Sequence, residues 1–587
     1  MRFVILLTLC RYASANACQR MRETDLTLPH RLPGDSVLTR LRQDTRANTL
    51  AIMAASLVPL AGMIGGGMDM SRIYLTKTRM QHACDAGALA GRKAMGGGAW
   101  NTASDAVAKK FFDANFKNGS YGSGQIQRGF TENAGVVTGT ISTALPTTLM
   151  RILGTRTVSI AVTCNVDLRL PNTDIMFVLD TTGSMSGRAV ITDTDTKIEA
   201  LRKSVKCFYE AVARLDTSEN CATGTPSGGT SAQVQVRFGF VPYATNVNVG
   251  KLLPTSFLAD SWSYQTRKAN YYSNGSFRNW TYDYLSQPVS GLKNGNSWRD
   301  SFSLPVGRYG NQATINWDGC IEERETVRAS NYTPIPAGAK DLDIDLVPNA
   351  GDDTTRWGPA LPDLVWTRRS TTPNTVRNGV VVGLSQSQWT TYATTTSTDY
   401  QQSALYDCPS QGTLMQQWPS ASAFENYVDG LRVGGNTYHD IGLLWGARFI
   451  SPTGIFAASN AQTPTGGEIQ RNIIFMTDGD TNAQNYDYAA YGLPWFDRRQ
   501  TDPYRVPYSN DLNDQVNARF SALCSAIKNK NITLWVISFG DGSNSTTEQR
   551  LSDCATPSRY FEARDSATLQ KTFAQIANQI SQLRLTQ

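Results

Sequence analysis

The run Asp174-Ile175-Met176-Phe177-Val178-Leu179 ends in Asp180-Thr181-Thr182-Gly183-Ser184. Five apolar residues in succession need cover on both faces, so they predict a strand in the middle of a buried sheet. That strand delivers a carboxylate and then, at alternating positions, two hydroxyls to one sheet edge. Two later segments have matching character. Gly434-Gly435-Asn436-Thr437 precedes a helix predicted for 440–449, and Ile473-Ile474-Phe475-Met476 runs into Thr477-Asp478-Gly479.

The rest of that region alternates strand and helix. Ile198, Leu201, Val205, Phe208, Val212 and Leu215 recur every three or four residues, as do Val516, Phe520, Leu523 and Ile527. Val234, Val236, Phe238 and Phe240 alternate instead, Ile532 to Phe539 is a second apolar strand, and Leu569, Phe573, Ile576, Ile580 and Leu583 mark a last helix. This order predicts an α/β domain over 174–587 with a doubly wound, mostly parallel sheet. Ligands of such sheets bind beyond the carboxyl ends of the strands. Asp180, Thr182, Ser184, Thr437 and Asp478 are therefore expected to share one crevice.

An all-oxygen set of this kind is hard, which suits Mg²⁺, Mn²⁺ or Ca²⁺ rather than zinc. Two carboxylates offset the ion's charge, and three hydroxyls add ligands without further repulsion. A sixth position is left for water or a partner's carboxylate. The alternative is that the same groups merely cap strands by hydrogen bonding.

Between Tyr243 and about residue 420 the rhythm breaks. This stretch is rich in Asn, Ser, Thr, Gly and Tyr and holds eight of the twelve Trp. A structureless loop of that length is improbable in a folded domain, so an inserted subdomain with its own core is expected at about 245–420. Asp341-Leu342-Asp343-Ile344-Asp345 has the acidic spacing of a calcium loop, but Leu346 occupies the position that needs Gly. It is read as a surface acidic segment.

Residues 49–68 carry no charge. Twenty residues at 1.5 Å each give about 30 Å, the thickness of a bilayer's hydrocarbon core. They predict one transmembrane helix, against the alternative of a core helix rich in small residues. Residues 1–48 hold eight Arg, no Lys and four acids, hence +4 of the chain's +6; they are expected to form a cytoplasmic tail. The run Phe3 to Leu9 is a weak alternative signal sequence. The rest is nearly neutral, which argues against a nucleic-acid-binding surface. Beyond the span, the helix is expected to continue, followed by a helix at about 102–116 and strands at 125–143 and 156–168. Together they make a small α+β unit over 69–170.

Ten cysteines divide as Cys10 and Cys18 before the span and eight after it, without any Cys-x-x-Cys. Even numbers suit an oxidising compartment. Cys320–Cys408 and Cys524–Cys554 are the expected disulfides and Cys207–Cys221 a further candidate, among 105 possible connectivities. The only histidines are His30, His82 and His439. No His-Glu-x-x-His, phosphate-binding Gly-x-x-x-x-Gly-Lys or Gly-x-Ser-x-Gly occurs, so no enzymatic chemistry is expected.

Asp180-x-Thr182-x-Ser184, Thr437 and Thr477-Asp478-Gly479 together resemble the metal-ion-dependent adhesion site of von Willebrand factor A domains. Thr182 stands where Ser is commoner and offers the same hydroxyl. The resemblance implies that Thr182, Ser184 and Thr437 touch the ion, that both Asp act through water, and that an Asp or Glu of a partner completes the shell. A narrower resemblance is carried by residues 49–95, Pro146 to Gly154, Trp317 to Arg324 and Tyr438 to Gly446. These are similar to TadG-like Flp pilus-assembly proteins. That implies a single-pass bacterial inner-membrane protein, mostly periplasmic, binding pilus or pilus-assembly components. The runner-up is an adhesive or structural envelope protein unconnected to pili. A chelatase or chaperone accessory subunit is a third class, disfavoured by the membrane span.

Overall fold

Helix α1, Thr45–Met95, is continuous over 51 residues, so the helix predicted to continue beyond residue 68 does so. The computed structural model describes residues 45–95, 100–133, 136–167, 172–221, 235–366, 406–463, 468–503 and 507–586, with the pairs 376–377, 380–381 and 394–395. The tail proper, with Cys10, Cys18 and His30, lies outside the described residues, as does Trp389 of the insert. The span expected at 49–68 falls in the first half of α1, where Ile52, Leu57, Leu60 and Ile64 are exposed. Among the described residues, no helix is long and apolar enough to cross a membrane.

Two compact units divide the chain: 1–81 with 116–127 and 141–162, and 82–115 with 128–140 and 163–587. In the first, the buried Asp69 carboxylate accepts backbone N–H bonds from Thr148 and Leu149 at 2.9 Å and from Met150 at 2.8 Å. The Met150 and Thr148 amides hold its carboxyl below the usual range. Arg72 donates to Thr148 Oγ1 and to Tyr121 O. In the second unit, the expected helix is α2, Thr102–Asn115, and Cys84 is disulfide-bonded to Cys164.

Strands β1 (Gln127–Asn133), β2 (Val136–Pro146) and β3 (Thr157–Asp167) form a sheet in that order. The single strand expected at 125–143 is thus two. The period of two is interrupted by Asn133-Ala134-Gly135, a turn-type sequence.

The main sheet begins with β4 (Asn172–Asp180), followed by α3 (Lys197–Ala213) and β5 (Val236–Tyr243). The insert contributes a hairpin of β6 (Ser261–Tyr271) and β7 (Phe277–Pro288), and then β8 (Thr413–Gln416), α4 (Ala421–Asp429) and α5 (His439–Ile450) follow. The domain ends with β9 (Ile469–Gly479), α6 (Ser509–Asn529), β10 (Thr533–Gly542), α7 (Ser545–Cys554), β11 (Tyr560–Ala563) and α8 (Ser566–Thr586). The strand order is β8-β5-β4-β9-β10-β11. Every pairing is parallel except β8 with β5.

All nine residues of β4 are buried, as the apolar run requires. Ile175, Phe177 and Leu179 enter one core with Phe208, Phe238 and Phe573. Met176 and Val178 enter the other with Leu443, Phe475 and Phe520. Gly442 lets α5 lie against β5, because a Cβ there would collide with the Tyr243 ring.

Among the described residues, part of the insert packs into the core of the sheet domain and part keeps a small cluster of its own. Trp317 and Trp357 belong to the same core as Val178 and Trp445, and, among the described residues of the hairpin, Trp280 and Tyr282 form a separate small cluster with their neighbours. The reason is a buried charge. Glu323 is fully buried and accepts from Trp357 Nε1 (2.9 Å), Trp445 Nε1 (2.6 Å) and Arg448 Nη1 (2.7 Å), which locks the insert onto α5. Asp341 is likewise buried and paired with Arg519, which also donates to Asp440 at 3.0 Å. The acidic segment is therefore not all surface: Asp341 is a core counter-ion.

Cys320–Cys408, Cys524–Cys554 and Cys207–Cys221 are all bonded, with Cα separations of 5.8, 5.0 and 5.4 Å.

Candidate metal centre

β4 and β9 are adjacent strands whose following helices lie on opposite faces of the sheet, and Asp180 and Asp478 stand at their carboxyl ends. This is the point where the strand order reverses, the position at which open α/β sheets bind their ligands. A chain of hydroxyls joins the two carboxylates. Asp180 Oδ1 accepts from Thr182 N at 2.9 Å and from Thr182 Oγ1 at 2.6 Å. Thr182 Oγ1 lies 2.9 Å from Ser184 Oγ, which donates to Asp478 Oδ1 at 2.8 Å. Four of the five expected donors are thus in one continuous cluster.

The loop that carries the fifth, Thr437, is bonded to the Asp180 loop, while the Thr437 amide itself donates to Asn482 O at 3.1 Å. Gly434 N donates to Thr181 O at 2.9 Å, and Gly183 N donates to Gly435 O at 3.1 Å. Gly435 has φ +73°, and a Cβ there would lie 2.7 Å from Thr245 Oγ1; this turn needs glycine. Asp487 holds the loop from behind, accepting from Asn436 Nδ2 (2.9 Å) and Tyr438 OH (3.0 Å) on either side of Thr437. Burial lifts the Asp487 carboxyl to about 6.

Asp180 is completely buried. Burial first, and the charge of Asp478 second, push its carboxyl up to about 7. Its Oδ2 accepts from Thr477 Oγ1 at 2.8 Å and, more weakly, from Tyr243 OH at 3.4 Å. Thr477 Oγ1 also lies 2.9 Å from His439 Nε2. His439 Nδ1 faces Thr481 Oγ1 at 3.1 Å. Burial lowers its imidazole to about 3, which keeps it neutral. His439 is therefore a buried, neutral hydrogen-bonding partner behind the cluster, where the sequence showed only a helix-start residue.

The sequence reading also missed Lys197. Its ammonium donates to Asp478 Oδ2 at 3.0 Å. The one signal was position, since this lysine opens the helix that follows the Asp180 loop.

A parallel sheet with one antiparallel edge strand, carrying hydroxyls and carboxylates at its switch point, is the arrangement that the resemblance to von Willebrand factor A domains implies. At the other end of the chain, residues 48–105 match the family of putative Flp pilus-assembly TadE/G-like proteins. No curated protein is recognisably similar in sequence to the chain.

Loose structural likenesses extend more widely. A point mutant of the PilB minor pilin from Streptococcus sanguinis aligns at 12% identity over 78% of this chain and 79% of that one, with a TM-score of 0.29. The vWF domain of the type V pili tip protein Mfa5 from Porphyromonas gingivalis aligns at 11% identity over 70% and 95%, TM-score 0.28. Proximal thread matrix protein 1 from the mussel byssus aligns at 9% identity, TM-score 0.25, over 70% of this chain but only 47% of its own length. The class of the fold rests on the sheet order and the donor cluster themselves.

Proposed function

We propose that this protein is a membrane-anchored, cation-dependent protein-binding module of a pilus assembly in the bacterial cell envelope. The observation that carries the reading is the unbroken Asp180–Thr182–Ser184–Asp478 contact chain at the switch point of the sheet. The donor set fits a hard divalent cation, Mg²⁺ foremost and Mn²⁺ or Ca²⁺ as alternatives. Its oxygens are hydroxyls and carboxylates alone, and Asp180 and Asp478 are like charges buried together.

Asp180 and Asp478 would supply the negative charge, and Thr182, Ser184 and Thr437 the neutral oxygens. When bound, the ion supplies an electrophilic position that a partner's Asp or Glu can occupy. The chain's own residues do the rest. Thr477, oriented by His439, fixes Asp180, while Asp487 and Gly435 hold the Thr437 loop against the Asp180 loop.

The pilus connection is supported by the family match at 48–105. Anchoring is supported by the uncharged run at 49–68 and by its apolar side chains, since Ile52, Met53, Leu57, Leu60, Met63 and Ile64 are all exposed. The four disulfides favour an oxidising compartment for the rest. No catalytic role is proposed.

Capture of partners from envelope extracts by the full-length protein, with Mg²⁺ or with EDTA, tests the reading. Recovery of pilus components only with Mg²⁺, and its loss in Asp478→Ala, is expected. Equal recovery with EDTA would remove the cation from the mechanism. A gene neighbourhood without pilin, prepilin peptidase and secretion ATPase genes would favour the non-pilus envelope role.

A further inference from the structure

Lys197 is placed against elementary preference. It is the first residue of α3, where the helix dipole disfavours a cation. It is also buried, at 8% exposure, where an unpaired ammonium is costly. Three features nevertheless hold it there. Thr196 and Glu199 form a capping box that fixes the helix start, and Lys197 N donates to Gly187 O at 2.7 Å. Gly540, with φ +80°, leaves room for the end of the side chain; a Cβ there would sit 3.3 Å from Lys197 Cε. The ammonium then meets Asp478 Oδ2, while Ser184 holds the other carboxylate oxygen.

We propose that Lys197 is an affinity-setting residue of this site, a resident positive charge on Asp478 that weakens cation binding and makes it depend on an anionic partner. The inference rests on the cation reading above. The charges in direct contact are Asp180, Asp478 and Lys197, together −1 when all are ionised. A divalent ion makes the site +1, and one partner carboxylate returns it to zero. Without the lysine the loaded site would already be neutral, and an ion would be held whether or not a partner were present.

The test is a calorimetric titration of the full-length, detergent-solubilised protein with Mn²⁺ alone, comparing wild type with Lys197→Met, Lys197→Arg and Asp180→Ala. Lys197→Met should bind Mn²⁺ about tenfold more tightly, as expected for removing one like charge from a partly screened site. Lys197→Arg should stay within about twofold of wild type, and Asp180→Ala should show no saturable binding. Should the methionine variant misfold, Lys197→Gln replaces it.

Equal or weaker affinity in Lys197→Met, with wild type binding and Asp180→Ala not, would overturn the role of Lys197 and leave the cation reading standing. No saturable binding in any chain would overturn both. A second readout is thermal stability in EDTA. Lys197→Met should melt lower than wild type, since Asp478 loses its counter-charge, and Mn²⁺ should restore it. A variant whose melting ignores Mn²⁺ counts against the proposal.

Discussion

Replacing Asp180 by Asn should stabilise the cation-free protein at alkaline pH and abolish its response to Mg²⁺. Inside the fold the Asp180 carboxyl titrates near 7 instead of 3.8, with burial the first cause and Asp478 the second. A rise of that size means that ionising it in the fold costs about 4 kcal/mol. The folded state therefore binds the proton more tightly than the unfolded chain. Stability from this group is full below about pH 4, is lost as pH rises towards 7, and then levels off.

Asparagine keeps the acceptor for Thr182 but places an NH₂ where Oδ2 accepts from Thr477 at 2.8 Å. Disturbing that bond costs about 1 kcal/mol, leaving a net gain of about 3 kcal/mol above pH 7. At about 2 cal/mol/K of unfolding entropy per residue, a domain of roughly 400 residues shifts by about 1 °C per kcal/mol, hence by about 3–4 °C. Scanning calorimetry in EDTA should find Asp180→Asn melting higher than wild type by that amount at pH 8, with the difference vanishing at about pH 4.5. Adding Mg²⁺ should raise the wild type alone. A wild type as stable as the variant at pH 8 in EDTA, or a difference that ignores pH, would refute the buried-charge account.

Glu323→Ala leaves Arg448 buried without its counter-charge and should cost about 3–5 kcal/mol. Limited proteolysis should then cut the insert first, and an uncut insert would show that Glu323 does not weld it to α5. Joint replacement of Cys524 and Cys554 by Ser opens a loop of 30 residues and should cost about 3–4 kcal/mol in denaturant melts, with Mn²⁺ affinity unchanged. Deleting residues 45–68 should move the protein from the carbonate-resistant membrane fraction to the soluble one; retention in the membrane would place the anchor elsewhere.

Much of this molecule was legible in the chain because its signals are local. The run 174–179 reads as a buried strand because every residue in it is apolar on both faces of the pleat but the first, and the first, Asp174, accepts from Arg237 Nε at 2.8 Å. The order of strands and helices likewise implied the parallel sheet, and topology then implied that Asp180, Thr182, Ser184 and Asp478 would meet. The disulfides Cys320–Cys408 and Cys524–Cys554 were also within reach, since cysteines in a polar insert and on successive helices have few partners.

What depends on distance along the chain was not. Lys197 and Asp478 are 281 residues apart, and no periodicity connects a helix's first residue with the end of a later strand. The same holds for His439 behind Thr477, for Asp341 opposite Arg519 and for Glu323 between two tryptophans and Arg448. Hydrophobic pattern determines which face of an element is buried, because burial scales with apolar area and needs no particular partner. Buried charges instead require one specific counter-charge at hydrogen-bonding distance, and only the packed tertiary structure decides which one arrives.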